Sequence, residues 1–135
     1  MRNTLFILLI TLAAVFSGCS MNKDAEVNSF VTDMDKLTGE IVKAVEEKPA
    51  TGVDRAQQLL DARKTEMKAN FEKLKDVRGF QLSEEMKKKF TDAIAKNVEA
   101  VNTLQIKYVE ESIEDQSFGQ KLKKLSTDYN SIFGV

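Results

Sequence analysis

Apolar side chains recur at helical spacing along three long stretches of this sequence. In the first stretch, the intervals from residue 27 to residue 41 alternate between three and four, which aligns the side chains along one seam of an α-helix. The apolar residues of this stretch are Val27, Phe30, Val31, Met34, Leu37, Ile41, Val42 and Val45. We expect the helix to start near Asp24. Other elements must cover its seam, because exposed apolar surface is unfavourable in water.

A second helix is predicted directly after the first. Pro49 ends the first helix, because proline lacks an amide hydrogen and disfavours the helical conformation in the residue before it. The segment Thr51-Gly52-Val53-Asp54 matches the capping-box pattern, and Gly79 is placed to adopt a left-handed conformation beyond the helix end. The apolar residues of this helix are Val53, Ala56, Leu59, Leu60, Met67, Phe71, Leu74 and Val77.

A third helix of similar length is predicted after a short connection. Ser83 has the character of an N-cap, and the carboxylates of Glu84 and Glu85 suit the positive end of a helix. Its inner face carries Met86, Phe90, Ile94, Val98, Val101, Leu104 and Tyr108. Short links between helices of matched length make sequence neighbours antiparallel.

The regular pattern is interrupted before the carboxyl terminus. The acidic residues Glu110, Glu111, Glu114 and Asp115 break it, and Gly119 argues against one continuous helix to the end. Ser117 with Gln120 is expected to cap a shorter fourth helix, which lies either along the side of the bundle or across one end. Its apolar residues are Phe118, Leu122, Leu125, Tyr129 and Ile132.

The composition agrees with a helical fold. Charged residues make up 30% of the chain, with six glycines and one proline, and residues that form helices well are frequent. No run of β-branched residues alternates with polar ones between turn residues, as a strand would require. We therefore predict an all-α fold: an antiparallel bundle of three long helices plus a shorter C-terminal fourth helix.

The amino-terminal segment has the features of a secretory signal. Arg2 is followed by an apolar run from Leu5 to Phe16, which is shorter than the ~20 residues that span a hydrocarbon core. Ser17-Gly18-Cys19 follows at once, and the segment resembles a bacterial lipoprotein precursor with its lipobox. Phe16 stands where this family usually has Leu or another aliphatic residue. The predicted organisation is a signal peptide over residues 1–18, a lipidated stalk over 19–23 and a helical bundle domain over 24–135.

The resemblance implies a lipid anchor on Cys19. In such lipoproteins the cysteine carries a thioether-linked diacylglycerol and an acylated amine, with palmitate among the chains, and two or three chains anchor durably. Ser20 follows the cysteine, where Asp would resemble an inner-membrane retention signal. The expected address is therefore the outer membrane, facing the periplasm, or the outer face of the plasma membrane if the cell has one membrane. Two alternatives are an ordinary cysteine beside the signal and an uncleaved membrane anchor.

Several classes of chemistry are disfavoured by the residues that the chain lacks. It has no histidine, so serine or cysteine nucleophiles have no histidine base and Glu-x-x-His iron sites cannot form. The single cysteine is Cys19, which leaves no disulfide within the domain. The acidic group at Glu110 to Asp115 could gather Ca²⁺, but it lacks the regular ligand loop and is better explained as a solvated helix end. We expect no enzymatic activity, no metal and no cofactor.

Four polar residues fall among the apolar positions of the second and third helices: Arg63, Asn70, Asn97 and Gln105. A polar group in such a position must find a partner or reach water. The simpler interpretation is that these residues fix the helix register, with Arg63 reaching solvent or pairing with an acid. The functional alternative is that they line a small pocket, or a groove that receives another helix.

The charges of the chain say little about its partner. There are 20 basic and 21 acidic residues, a balance that gives no reason to expect nucleic acid. We expect the lysine clusters at 87–89 and at 121, 123 and 124 to be ordinary solvated surface, or else contacts to anionic lipid head groups or cell-wall polymer. The leading functional hypothesis is a lipid-anchored envelope interaction or structural protein that docks through a helical face to a protein partner or to itself. The alternative is a periplasmic binding module that holds a small apolar ligand or lipid between its helices.

Overall fold

The computed structural model describes residues 22–135, and within this range every regular element is helical. The all-α prediction is confirmed. The elements are α1 (Asp24–Glu47), α2 (Pro49–Lys75), a 3₁₀ turn (Gly79–Gln81), α3 (Glu84–Lys107), α4 (Val109–Glu114) and α5 (Gln116–Asn130). The predicted signal peptide and Cys19 lie outside the described residues, as do the first residues of the predicted stalk.

A single residue, Lys48, separates α1 from α2. The prediction that Pro49 stops the first helix is confirmed, but the capping box at Thr51 is wrong, because α2 already begins at Pro49. Proline suits the first helical position, where its fixed φ is helical and its missing N–H is not needed. Gly52 then passes against α1, so closely that an added Cβ would lie 1.8 Å from the Ala44 carbonyl oxygen. The absence of a side chain at Gly52 permits this tight turn.

The connection from α2 to α3 differs from the prediction at Gly79. This glycine starts the 3₁₀ turn, and the positive φ found in residues 22–135 is at Gly134 instead. The Gln81 side chain accepts a hydrogen bond from the Arg78 amide at 2.8 Å, which closes the turn without a left-handed residue. The N-cap at Ser83 is confirmed, since its hydroxyl accepts from the Met86 amide at 3.1 Å.

The C-terminal part contains one helix more than predicted. The short helix α4 follows α3 after the single residue Tyr108, and its acidic residues lie on the surface. The predicted cap of the last helix by Ser117 and Gln120 is wrong. Asp115 is the N-cap, and its Oδ1 accepts from the amides of Ser117 at 2.9 Å and Phe118 at 3.2 Å. A carboxylate is a strong N-cap because it satisfies free amides at the positive end of the helix dipole.

Helix α1 packs against α2 and α3, and α5 packs against α2, α3 and α4, while α2 and α3 make little contact with each other. Cross-helix contacts give the directions. Glu46 near the end of α1 pairs with Lys107 at the end of α3, so these helices run in parallel. Lys121 near the start of α5 pairs with Asp54 near the start of α2, at 2.8 Å. Helix α3 therefore lies beside α1 rather than beside its sequence neighbour α2.

The core lies where these helices meet. Its most enclosed large side chains are Tyr129, Met34, Leu37, Ile41, Leu60, Leu122, Leu125 and Ile132. Tyr129 of α5 reaches across to α1, where its hydroxyl shares a hydrogen bond with the Thr38 hydroxyl at 2.5 Å. This buried bond fixes α5 against the opposite helix. It also satisfies both hydroxyls, which would otherwise be costly to bury.

Candidate functional site

An apolar groove of about 440 Å³ runs between α2 and α3. We call it the α2–α3 groove. It is lined by Phe71, Lys75, Phe90, Thr91, Ile94, Ala95, Val98 and Val135. Ligand pockets in proteins typically have volumes of roughly 300 to 1,000 Å³ and are lined mainly by apolar side chains. The groove has both properties.

The groove exists because α5 is shorter than the helices beside it. Helix α5 lies beside α2 from Asp54 to Lys64. At the second of these residues, the Lys64 ammonium donates to the Asp128 carboxylate at 3.1 Å. Helix α5 ends at Asn130, two residues after Asp128. Helix α2 continues from Lys64 to Lys75, which is roughly 16 Å at 1.5 Å per residue. Over this distance no helix fills the space between α2 and α3. Inner-facing side chains of α3 therefore remain half-buried.

The floor of the groove is a cluster of phenylalanine rings. The Phe30 ring of α1 lies 6.0 Å from both the Phe71 and the Phe90 rings, centroid to centroid, and those two rings are 6.3 Å apart. Phe133, beyond the end of α5, packs edge-on against Phe71 at 5.3 Å. Aromatic contacts of this kind contribute about 0.5–1.5 kcal/mol each beyond their burial. The floor is thus a stable part of the core rather than a loose surface.

A cation lies at the rim of the groove. The Lys75 ammonium is 5.2 Å from the centre of the Phe71 ring and pairs with Glu72 at 2.7 Å. Both charged side chains are about half exposed, so their pairing contributes little and can be exchanged for another partner. The groove therefore combines an apolar interior with a cation at its edge.

Two of the predicted polar site residues share the surface between α1 and α2. Arg63 is half-buried, and its guanidinium is 4.0 Å from the Asp33 carboxylate. Arg63 and Asn70 both line a cavity of about 10 Å³ together with Asp33 and Met67. A cavity of this size holds no more than about one water molecule. These two residues are close together, but they are outside the α2–α3 groove.

The other two predicted residues lie on α3 and do not join them. Asn97 is buried, and its amide donates to the Asp35 carboxylate at 2.7 Å and to the Ala93 carbonyl at 2.8 Å. Gln105 is half-buried two turns farther along the helix. Asn97 therefore connects α3 to α1. The structure does not bring the four residues together into one pocket.

Sequence analysis places four of the eight groove residues on the inner faces of their helices. Phe71, Phe90, Ile94 and Val98 carry the pattern of a covered helix face, which looks the same whether the covering element is present or absent. The available signal was the length of the last helix. A fourth helix shorter than its neighbours leaves part of their inner faces uncovered.

A second exposed apolar surface lies at the far end of the molecule, where α3 meets α4. Ile106, Val109 and Ile113 are 75%, 50% and 74% exposed, and their spacing places them along one stripe. We call them the tip stripe. The acidic side chains of Glu110, Glu111, Glu114 and Asp115 border it. Large apolar residues grouped on a surface are typical of contact sites.

Smaller clefts of about 260 Å³ lie elsewhere in residues 22–135, and one of them is lined by Phe30, Asn70 and Leu74. No group of three or more potential ligand side chains in this part of the chain is arranged to hold a metal ion. None of the helices described is long and apolar enough to cross a membrane. Comparisons of the chain with protein-family models, with curated proteins and with solved structures found no match. Within residues 22–135, the α2–α3 groove and the tip stripe leave large apolar side chains open to contact.

Proposed function

We propose that the mature protein is a lipid-anchored protein of the cell envelope that acts by binding, without catalysis, and holds an apolar chain in the α2–α3 groove. In this proposal the domain is an antiparallel bundle of three long helices whose shorter C-terminal fourth helix, α5, leaves the groove open. The observation that carries it is the uncovered apolar surface of α3 above the phenylalanine floor. The lipobox-like Ser17-Gly18-Cys19 supports the anchor.

The chemistry of the groove favours an acyl chain as the ligand. Its lining is apolar apart from Lys75 and Thr91, and the Thr91 hydroxyl already donates to the Lys87 carbonyl at 3.1 Å. The interior therefore favours an apolar ligand. Each CH₂ group of the ligand that is removed from water contributes about 0.8 kcal/mol to the binding free energy. Lys75 at the rim suits an anionic head group. A fatty acid or a single-chain phospholipid combines both features.

The binding test compares two tryptophan variants of a soluble chain of residues 20–135. Ala95→Trp places a large ring in the groove, whereas Ala62→Trp places the same ring on an exposed face of α2 away from it. The probe is cis-parinaric acid, whose fluorescence rises in an apolar site. We expect Ala62→Trp to bind as the parent does and Ala95→Trp to bind at least tenfold more weakly. Equal binding by the two variants would contradict the groove as the site.

The anchor is tested separately in cells. We expect palmitate to label the protein, globomycin to block its processing, and the Cys19→Ala variant to lose both the label and its membrane location. Label that persists in Cys19→Ala would contradict the lipoprotein assignment. This result would not affect the groove, because the binding test uses a chain without Cys19.

A second candidate function is docking to a protein partner, and the tip stripe favours it. The acidic border of the tip stripe suits a partner whose apolar patch is flanked by basic side chains. The same border opposes pairing of two copies through this stripe, because their like charges would meet. We expect an Ile106→Ser, Ile113→Ser double variant to keep its fold and to lose a partner that the anchored parent recovers in stoichiometric amount. If the variant recovers the same partner equally well, the tip stripe is not the docking site.

A further inference from the structure

We infer that the loop around Phe80 is a membrane-contacting surface, with the Phe80 ring inserted into the lipid bilayer beside the anchor. Phe80 lies in the 3₁₀ turn between α2 and α3, and its side chain is 73% exposed. The other five phenylalanines of residues 22–135 are buried or half-buried. The inference rests on the proposed lipid anchor at Cys19.

The anchor and the Phe80 loop are joined at the same end of the molecule. The Lys23 amide donates to the Gln81 carbonyl at 2.8 Å, and the Ser83 amide donates to the Asp24 carboxylate at 2.9 Å. The start of α1 is therefore fixed to the residue next to Phe80. Only Ser20 and Met21 separate Cys19 from Asn22, so a lipid on Cys19 keeps this end within about 10 Å of the membrane surface.

The Phe80 loop contacts the apolar part of the bilayer interface, and this contact does not depend on the charge of the lipid head groups. The segments 22–26 and 72–89, which form this end, carry seven basic and six acidic side chains, so they have almost no net attraction for anionic lipid. A phenyl ring in the interface leaves water without losing a hydrogen bond, because it has none to lose. We therefore expect insertion into zwitterionic and anionic membranes alike.

This orientation gives the α2–α3 groove access to lipid. Phe90 at one end of the groove lies seven residues, or about 10 Å, along α3 from Ser83. The tip stripe is then held at the opposite end of the bundle, away from the membrane.

The test uses the full-length, lipidated protein in vesicles of phosphatidylethanolamine and phosphatidylglycerol that contain brominated lipid. The chain has no tryptophan, so Phe80→Trp and Ile113→Trp each introduce one fluorophore, at opposite ends of the bundle and at positions of equal exposure. We expect brominated lipid to quench the indole in Phe80→Trp at least threefold more than the indole in Ile113→Trp, with a blue-shifted emission in Phe80→Trp only.

Two results would overturn the inference in distinguishable ways. If the protein floats with the vesicles but both indoles are equally unquenched, the anchor stands and the Phe80 contact is wrong. If the protein fails to float and carries no palmitate, the anchor itself is wrong and the contact loses its basis. Repeating the measurement with phosphatidylcholine vesicles checks the electrostatic argument, because quenching that vanishes there would contradict an apolar contact.

Discussion

Tyr129 is the residue at which burial has the clearest consequence for stability. Burial raises the pKa of its phenol from 10.0 to about 12, although the hydrogen bond with Thr38 acts in the opposite direction. Between these values the unfolded chain releases the phenolic proton and the folded chain retains it. Stability that is fully present below pH 10 is therefore lost as the pH rises toward 12, by roughly 2–3 kcal/mol.

The Tyr129→Phe variant separates this effect from the titration of lysines. We expect it to be about 1 kcal/mol less stable than the parent at pH 7, because the bond with Thr38 is lost. Above pH 10 its free energy of unfolding should fall less steeply than that of the parent. Urea unfolding at pH 7, 10 and 11 measures both. Parallel declines in parent and variant would show that the phenol is not protected in the folded state.

Asn97 tests whether a predicted polar residue fixes α3 against α1. Its amide donates to the exposed Asp35 carboxylate, so Asn97→Asp would place two carboxylates together and should cost about 1–3 kcal/mol. Adding Asp35→Asn restores a donor opposite the new carboxylate and should recover at least about 1 kcal/mol. A double-mutant cycle by chemical unfolding measures the coupling. The absence of coupling would mean that this hydrogen bond does not hold the register.

At the scale of elements, Gly52 sets how closely α1 and α2 approach. A Cβ at Gly52 would collide with the backbone of Ala44, and backbone cannot move aside as a side-chain tip can. We expect Gly52→Ala to destabilise the protein by about 3 kcal/mol. Gly39 is the matched control, because nothing lies within 4 Å of its added Cβ in the middle of α1. Gly39→Ala should stabilise by about 0.5–1 kcal/mol. If thermal unfolding shows that both variants are stabilised, the close turn is wrong.

Helix positions were predictable because burial repeats with the helical period. Phe30, Met34, Leu37 and Ile41 of α1 all lie in the core, as their spacing required. The helix ends were harder to predict, since neighbouring residues compete for the same role. Ser117 is the predicted N-cap of α5, but Asp115, two residues earlier, has this role. The Asp115 carboxylate accepts hydrogen bonds from two free amides at the start of the helix.

The open part of the fold could not be read from the spacing. Val98 of the groove and Val101 of the core belong to the same predicted face of α3, but Val98 is half-buried and Val101 is 1% exposed. What distinguishes them is the position of the end of α5, which is a tertiary property. The α2–α3 groove therefore emerged from the structure, whereas two of the polar residues that stand out in the sequence, Arg63 and Asn97, contact acidic residues of α1.

At the scale of the whole molecule, the groove has a finite length because one helix is short. Its lining on α3 extends from Phe90 to Val98, which is about 12 Å. An acyl chain that lies in it buries one more CH₂ with each carbon added, until the chain is longer than the groove. Membranes and micelles impose no such limit, since their interiors accept each further carbon. Chain length therefore distinguishes binding in the groove from simple partition.

We accordingly predict a rise and then a plateau for saturated fatty acids of increasing length. The affinity of the soluble chain of residues 20–135 should increase about fourfold per CH₂, which corresponds to ~0.8 kcal/mol, and then become constant. Displacement of cis-parinaric acid measures the series, with Ala95→Trp as the control that should lower the plateau or abolish binding. The fatty acid would bind elsewhere if its affinity grows with chain length without limit, or if its affinity is unchanged in Ala95→Trp. Neither result agrees with a site that is bounded by the end of α5.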